Sequence, residues 1–303
     1  MVASGTLRRE KPAASVDVPV GQVEKRRGLR QGLRRFTRRR VVLVGVALVT
    51  FEFLFAIFGP LLIPYEPQKQ DLFHTLAPPS GAHLLGTDDL GRDILSRLAH
   101  GSRISLAIGL SAVIAASVPG VLLGLLVGYR GGTLDSVVMR VTDAVMAFPG
   151  IVLTLTIVAV LGQGIFNLII AIGVAGWPSY TRLTRGQVLA VREYDYVRAA
   201  RAMGAPPGRI MLKHILPNVV SPSIVAGSLG VGFAIVAESG LSFLGLGVLP
   251  PTPTWGSMIQ TGFQVLEIAP WLVMAPGMMI FLAVLGFNLL GDGLREALDP
   301  YLK

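Results

Sequence analysis

Between Ala144 and Thr181 the chain runs for roughly 38 residues without a single Asp, Glu, Lys or Arg. As one helix, at ~1.5 Å per residue, that stretch would be about 57 Å long, close to twice the ~30 Å hydrocarbon core of a bilayer. Gly162-Gln163-Gly164 and Asn167 supply a break near its middle. The stretch therefore reads as two spans joined by an external turn near 162–167.

The rest of the chain follows the same pattern. Hydrophobic residues make up 52% of the 303 residues and charged residues 15%, well below the quarter or so of soluble domains. The apolar residues lie in long blocks rather than amphipathic stripes, which points to lipid as their solvent. Val41 to Ile63 forms the first block. It ends in Gly59-Pro60-Leu61-Leu62-Ile63-Pro64 with no small-residue cleavage site, so it reads as a retained anchor rather than a signal peptide. Ile104 to Tyr129 forms the second. Asp135, Arg140 and Asp143 begin a helix that runs into lipid after Phe148-Pro149, and Val219 to Leu246 and Trp271 to Gly291 complete the set. The expectation is an all-α integral membrane protein of about six transmembrane helices.

Charge fixes the orientation. The formal net charge is +9, and Lys and Arg concentrate in residues 1–40 and 182–213. Basic clusters beside apolar spans mark cytoplasmic loops rather than a nucleic-acid surface. Residues 1–40 read as a cytoplasmic basic tail. Leu29, Leu33 and Phe36 among its arginines suggest a short amphipathic helix on anionic headgroups. The organisation expected is 41–63 as first span, 64–100 as an irregular extracytoplasmic segment, 101–291 as a five-helix core containing a cytoplasmic loop at 184–217, and 292–303 as a cytoplasmic tail. Both termini then lie inside a multi-pass cytoplasmic-membrane protein.

Several side chains stand out against this background. Gly120, Gly124 and Gly128 recur every fourth residue in the second block, a stripe that permits close helix packing. Glu52 and Glu238 are intramembrane carboxylates and candidates for a polar site; Glu52 should face protein or water, and Glu238 is a candidate for the solute path and equally for pairing with a neighbouring helix or a partner chain. His83, Asp88, Asp89 and Asp93 have the chemistry of a metal site, but Gly86, Gly91 and Arg92 between them favour a tight, internally paired turn. Cysteine is absent, which excludes thiolate chemistry. No phosphate-binding G-x-x-x-x-G-K-[ST] sequence occurs, so any ATP chemistry needs a separate motor.

The segment Glu193 to Pro217, EYDYVRAARAMGAPPGRIMLKHILP, is more structured than a connecting loop requires. Tyr194, Val197 and Ala200 share one face of a short helix, Gly204 and Pro206-Pro207 stop it, and a second amphipathic stretch leads to Pro217 and the fifth span. Ala199 and Ala200 offer a smooth surface for a partner's groove.

This segment resembles the E-A-A, three residues, G, nine residues, I-x-L-P motif of permease subunits of binding-protein-dependent ABC importers. Ala199, Ala200, Gly204, Leu216 and Pro217 fit the spacing, while Arg198 replaces the Glu and His214 the first Ile. His83 to Asp93 with Leu95-Ser96-Arg97, and Glu238 to Gly247 followed by Pro251, Pro253, Trp255 and Gly256, resemble the C-type subunit of the dipeptide and oligopeptide group. The resemblance covers most of 41–300. It implies a type I ABC importer permease fold and a non-enzymatic subunit without cofactor of its own. It further implies a second homologous permease, two cytoplasmic ATPase subunits that bind ATP and Mg, and an extracytoplasmic substrate-binding protein. Peptide cargo is expected, with nickel, glutathione or sugar as alternatives. An ion-gradient carrier and a membrane scaffold are the competing classes.

Overall fold

The computed structural model describes residues 40–298; apart from one antiparallel bridge between Thr87 and Asp93, the regular structure among them is helical. The proposed basic tail and its amphipathic helix, and the last residues of the C-terminal tail, lie outside the described residues. The helices are α1 (Arg40–Leu62), α2 (Ile94–Arg130), α3 (Gly132–Met146), α4 (Gly150–Leu161), α5 (Ile165–Val191), α6 (Asp195–Ala202), α7 (Pro207–Phe243), α8 (Trp255–Phe263) and α9 (Trp271–Leu298).

Local chemistry sets most of the ends. Asp93 caps α2 by accepting from Ser96 N at 2.7 Å, and at the other end Gly131 at φ 66° returns its N–H to Val127 O. Gly162 and Gly164 take positive φ between α4 and α5, a conformation glycine adopts without a Cβ penalty. Thr254 and Ser257 form a reciprocal capping box at the start of α8.

α2 is the central helix and packs along α5 in the most extensive helix pairing, with α7 and α1 on its other sides; α9 closes the bundle against α7 and α1. The glycine stripe explains the α2–α5 pairing. A β-carbon on Gly120 would lie 2.7 Å from Trp177 O, on Gly124 2.5 Å from Thr181 O, and on Gly128 2.9 Å from Val188 Cβ. α5 reciprocates: Gly173 and Gly176 face the β-carbons of Ala115 and Ala116. Small residues on both helices let the backbones touch, which is the main packing device where lipid removes the hydrophobic drive. A separate apolar core joins Ile94, Leu98, Ile235, Trp255, Leu272 and Met279.

Among the described residues four helices (α1, α2, α7 and α9) are long and apolar enough to cross a membrane, and five if α3 and α4 count as one broken span bent by 91°. The sequence led to about six. The sixth corresponds to α5, which has 27 residues but carries Tyr180, Thr181, Arg182, Thr184 and Arg185 in its second half, too polar to qualify on composition. The bend between α3 and α4 falls at Ala147-Phe148-Pro149, where a continuous helix entering lipid was expected.

Four boundaries differ from the sequence reading. α2 starts at Ile94, so the extracytoplasmic segment is already helical before residue 100. α7 runs unbroken through Pro217, because its backbone widens into a π turn at Ile210–Ile215 just ahead of the proline's missing N–H. The proline-rich stretch 247–270 contains α8, and α9 extends to Leu298.

Segment 64–93 is held by internal pairing. Asp88 Oδ2 accepts from Arg92 Nε at 2.7 Å and lies 3.4 Å from Arg97 Nε, while Asp88 Oδ1 accepts from Leu90 N and Arg92 N. His83 Nδ1 and Asp93 Oδ2 are 2.8 Å apart, and Asp89 reaches Arg92 at 3.5 Å. The carboxylates that tempted a metal reading therefore point at arginine, histidine and backbone N–H. Beside them Gly91, at φ 71°, lies against the carbonyl of Asp71, where no β-carbon fits.

Candidate coupling surface

The segment after α5 folds back onto the ends of three helices. Val197 and Ala200 on α6, with Ile210 and Ile215 on α7, pack on Leu125 of α2, Val188 and Val191 of α5, and Val219 further along α7. Two polar contacts add to this seat: Arg192 Nη1 donates to Gly128 O at 2.8 Å, and the Arg201 guanidinium lies 5.6 Å from the centre of the Tyr129 ring.

Gly204 ends α6 at φ 76°. Its N–H donates to Arg201 O and the next N–H, of Ala205, donates to Ala200 O. That pair of bonds is the Schellman arrangement, in which the residue after the cap takes a left-handed conformation. The stop signal read from sequence thus has its expected geometry.

The two faces of α6 differ from the sequence expectation in two places. Ala200 is 4% exposed and belongs to the inward face, so the surface left for a partner is formed by Ala199, Ala202, Met203 and Gly204. Tyr194, expected beside Val197 and Ala200, is instead exposed and meets Tyr196 edge to face at 5.9 Å. Burial, and then the neighbouring Tyr194, push the Tyr196 phenol above its ordinary range. Met203 is 81% exposed and Leu212 56%. Both were missed in the sequence; apolar residues among arginines next to a glycine stop were the available signal. His214 is half-buried, and its carbonyl accepts from Asn218 Nδ2 at 2.7 Å; Leu216 is half-buried and Pro217 exposed.

Two ion pairs clasp α3 to the half of α5 that feeds this segment. Arg185 donates bidentately to Asp135 at 2.5 and 2.7 Å, and Arg182 meets Asp143 at 2.5 Å. Both span about forty to fifty residues of sequence and carry no local signal.

The structure separates Glu52 and Glu238 from each other and from the coupling segment. Glu238 is fully buried near the end of α7 and accepts from Ser242 Oγ at 2.7 Å and Ser239 Oγ at 3.4 Å. Close by, Gly256 at the start of α8 would place a β-carbon 2.6 Å from Ser239 Cα, and Trp255 is fixed to α2 through Ser105 Oγ and Ser102 Oγ. Glu238 thus sits in a hydrogen-bonded junction of α7 with α8. Glu52 is also fully buried, in α1 on the stripe that includes Gly45, Ala56 and Gly59, and neither carboxylate oxygen has a hydrogen-bond partner among the described residues.

Comparison with known proteins assigns this bundle of apolar helices to a class. Residues 120–303 match the family described as the binding-protein-dependent transport system inner membrane component, and residues 29–79 match the N-terminal TM domain of oligopeptide transport permease C. The chain belongs to the binding-protein-dependent transport system inner membrane component family. It is 43% identical to the dipeptide transport system permease protein of Alkalihalophilus pseudofirmus over 274 residues, 90% of each chain. It is 43% identical to the glutathione transport system permease protein of Pectobacterium atrosepticum, over 90% of this chain and 91% of that one. It is 39% identical to the oligopeptide transport system permease protein of Bacillus subtilis, over 90% of each. An inward-facing methionine ABC transporter shares its fold, with a TM-score of 0.54 at 20% identity over 67% of this chain and 96% of that one.

Proposed function

We propose that this chain is the membrane subunit of an ATP-driven importer of di- and oligopeptides, moved by separate ATPase subunits through the paired helices around Gly204. The observation that carries the reading is mechanical. α6 and the start of α7 are seated on the ends of α2 and α5 and are continuous with α7, so a force on their outer face reaches three long helices. A ligand or partner that favours one orientation of such a lever shifts the whole bundle.

The basic character of 182–213 supports a cytoplasmic position for this lever, that of 1–40 supports the same for the N-terminus, and an even number of spans brings the C-terminus to that side. A second, homologous permease shares the solute path, two ATPases that bind ATP and Mg engage the two levers, and an extracytoplasmic binding protein delivers cargo. Catalysis of ATP hydrolysis belongs to those ATPases, and this chain contributes no reacting group. Peptide cargo rests on the names of the relatives, and glutathione, itself a tripeptide, is the nearest alternative among them.

The test uses vesicles containing this chain, its companion permease and its ATPases. Gly204→Pro removes the N–H that closes the Schellman motif and forbids φ 76°. It should abolish ATP-dependent uptake while the protein still inserts. Uptake driven by a proton or sodium gradient alone would sink the reading in favour of a carrier. Competition by dipeptides, longer peptides, glutathione and Ni²⁺ assigns the cargo.

A further inference from the structure

The outer face of the lever has an uneven chemistry. Its exposed apolar residues are Ala199, Ala202, Met203 and Gly204 from α6 and its stop, with Leu212 from the first turns of α7. Arg198, Arg209 and Lys213 are exposed in the same segment, whereas Glu193 and Asp195 lie only at its start. Arg198 is the least committed of the paired cations. Its side chain is 67% exposed, and its carboxylate partner among the described residues, Asp195, stands 3.9 Å away and wholly in solvent. It occupies the position where the family motif has an acid.

We infer that the lever docks into a groove of the ATPase subunit that is apolar on its floor and carboxylate-lined on its rim, with an acidic side chain of the ATPase opposite Arg198. The inference rests on the proposed coupling role and adds the sign of the charge that recognises this permease. Apolar side chains supply most of the affinity of a small interface, and rim charges select the partner and speed its approach. Met203 fits the first role, being a flexible and polarizable chain at the tip of the face. The second role falls to Arg198, Arg209 and Lys213. An ATPase built for a permease with an acid at this position would present a cation to Arg198, and like charges across an interface are a strong bar to mispairing.

Anionic lipid headgroups are the other polyanion within reach of a basic loop. The geometry disfavours them: the inward face of the segment, Val197, Ala200 and Ile210, packs on the ends of α2 and α5, so the opposite face points away from those helix ends rather than sideways along the membrane.

The experiment measures binding of the purified ATPase subunit of this transporter to the full permease pair in nanodiscs of neutral lipid, from low salt to roughly half-molar NaCl. Wild-type binding should weaken with salt. Arg198→Glu should weaken it by about fivefold or more at low salt and remove part of the salt dependence. Met203→Ser should weaken it at every salt concentration. Arg140→Glu, the same charge change on the exposed side of α3, should leave it unaltered. Wild-type strength in Arg198→Glu, or tighter binding, overturns the inference while leaving the coupling role intact, since the ATPase still binds. An Arg198→Glu effect seen only in discs with anionic lipid assigns the face to headgroups and also overturns it. No binding of the ATPase to the wild-type pair under any condition overturns both.

Discussion

Arg103 Nε lies 2.6 Å from the carbonyl oxygen of Ala56, the acceptor that Pro60 leaves without its helical donor. Nη2 of the same guanidinium reaches the next carbonyl, Ile57 O, at 2.7 Å. α1 can therefore carry a proline inside an apolar helix because a side chain of α2 replaces the lost N–H. Hydrogen bonds from a charged donor contribute about 1.5–3 kcal/mol, and less where the side chain is partly exposed as here.

That relationship predicts a compensation. Arg103→Leu should lower the thermal midpoint of the permease in nanodiscs, and Pro60→Ala in the same chain should recover much of the loss by restoring a backbone donor to Ala56 O. If the double variant is no more stable than Arg103→Leu, the carbonyl is not what Arg103 serves.

The α2–α5 contact gives a sharper contrast between two glycines. Gly124→Ala places a β-carbon 2.5 Å from Thr181 O and 2.8 Å from Thr184 Cβ, so two helix backbones must separate. Overpacking of this kind costs about 1–3 kcal/mol, and the expected result is poor yield of folded protein and a lowered midpoint. Gly186→Ala, on the same α5, meets nothing within 4 Å and should be neutral or stabilising by up to about 1 kcal/mol through helix propensity.

How much of this was legible in the sequence depends on the range of the interaction. The α2–α5 stripe, the Gly204 stop and the break at 162–164 are written in residues a few positions apart, and they appear where the sequence puts them. Helix α8 had a local signal too, since Thr254 and Ser257 have the spacing of a capping box, but the three prolines just before it, Pro250, Pro251 and Pro253, masked it. Passage of α7 through Pro217 depends on a π turn, which no periodicity announces. The break between α3 and α4 had a local signal in Pro149, but the near right angle it makes did not, and neither did the pairing of Asp135 and Asp143 with arginines of α5. Glu238 was legible in part. Its serine partners stand one and four residues further along the same helix, whereas the approach of α8 through Gly256 to Ser239 appears only in the fold.

The clasp between α3 and α5 should behave as a coupled pair. Asp135→Arg alone and Arg185→Asp alone each leave a partly buried charge facing its like, whereas the exchange of both restores opposite signs at the same place. A double-mutant cycle on thermal stability should give a coupling of about 1 kcal/mol or more. Additive effects would show that the two side chains do not sense each other.

Glu52 calls for the opposite substitution. Both its oxygens are buried without a hydrogen-bond partner among the described residues, in a stripe of α1 that packs on α9 and α2. A buried polar group left unsatisfied costs about 1–3 kcal/mol, and replacing it by an apolar group of similar size removes that penalty. Glu52→Leu should therefore raise the thermal midpoint of this chain, while Glu52→Gln, which keeps a polar head in the same apolar seat, should gain less. Measuring both variants first in the isolated chain and then in the assembled transporter locates any compensation. A Glu52→Leu chain less stable than wild type in isolation would mean that the carboxylate already has a partner within its own fold. Gain in isolation with loss in the complex would place that partner on another subunit.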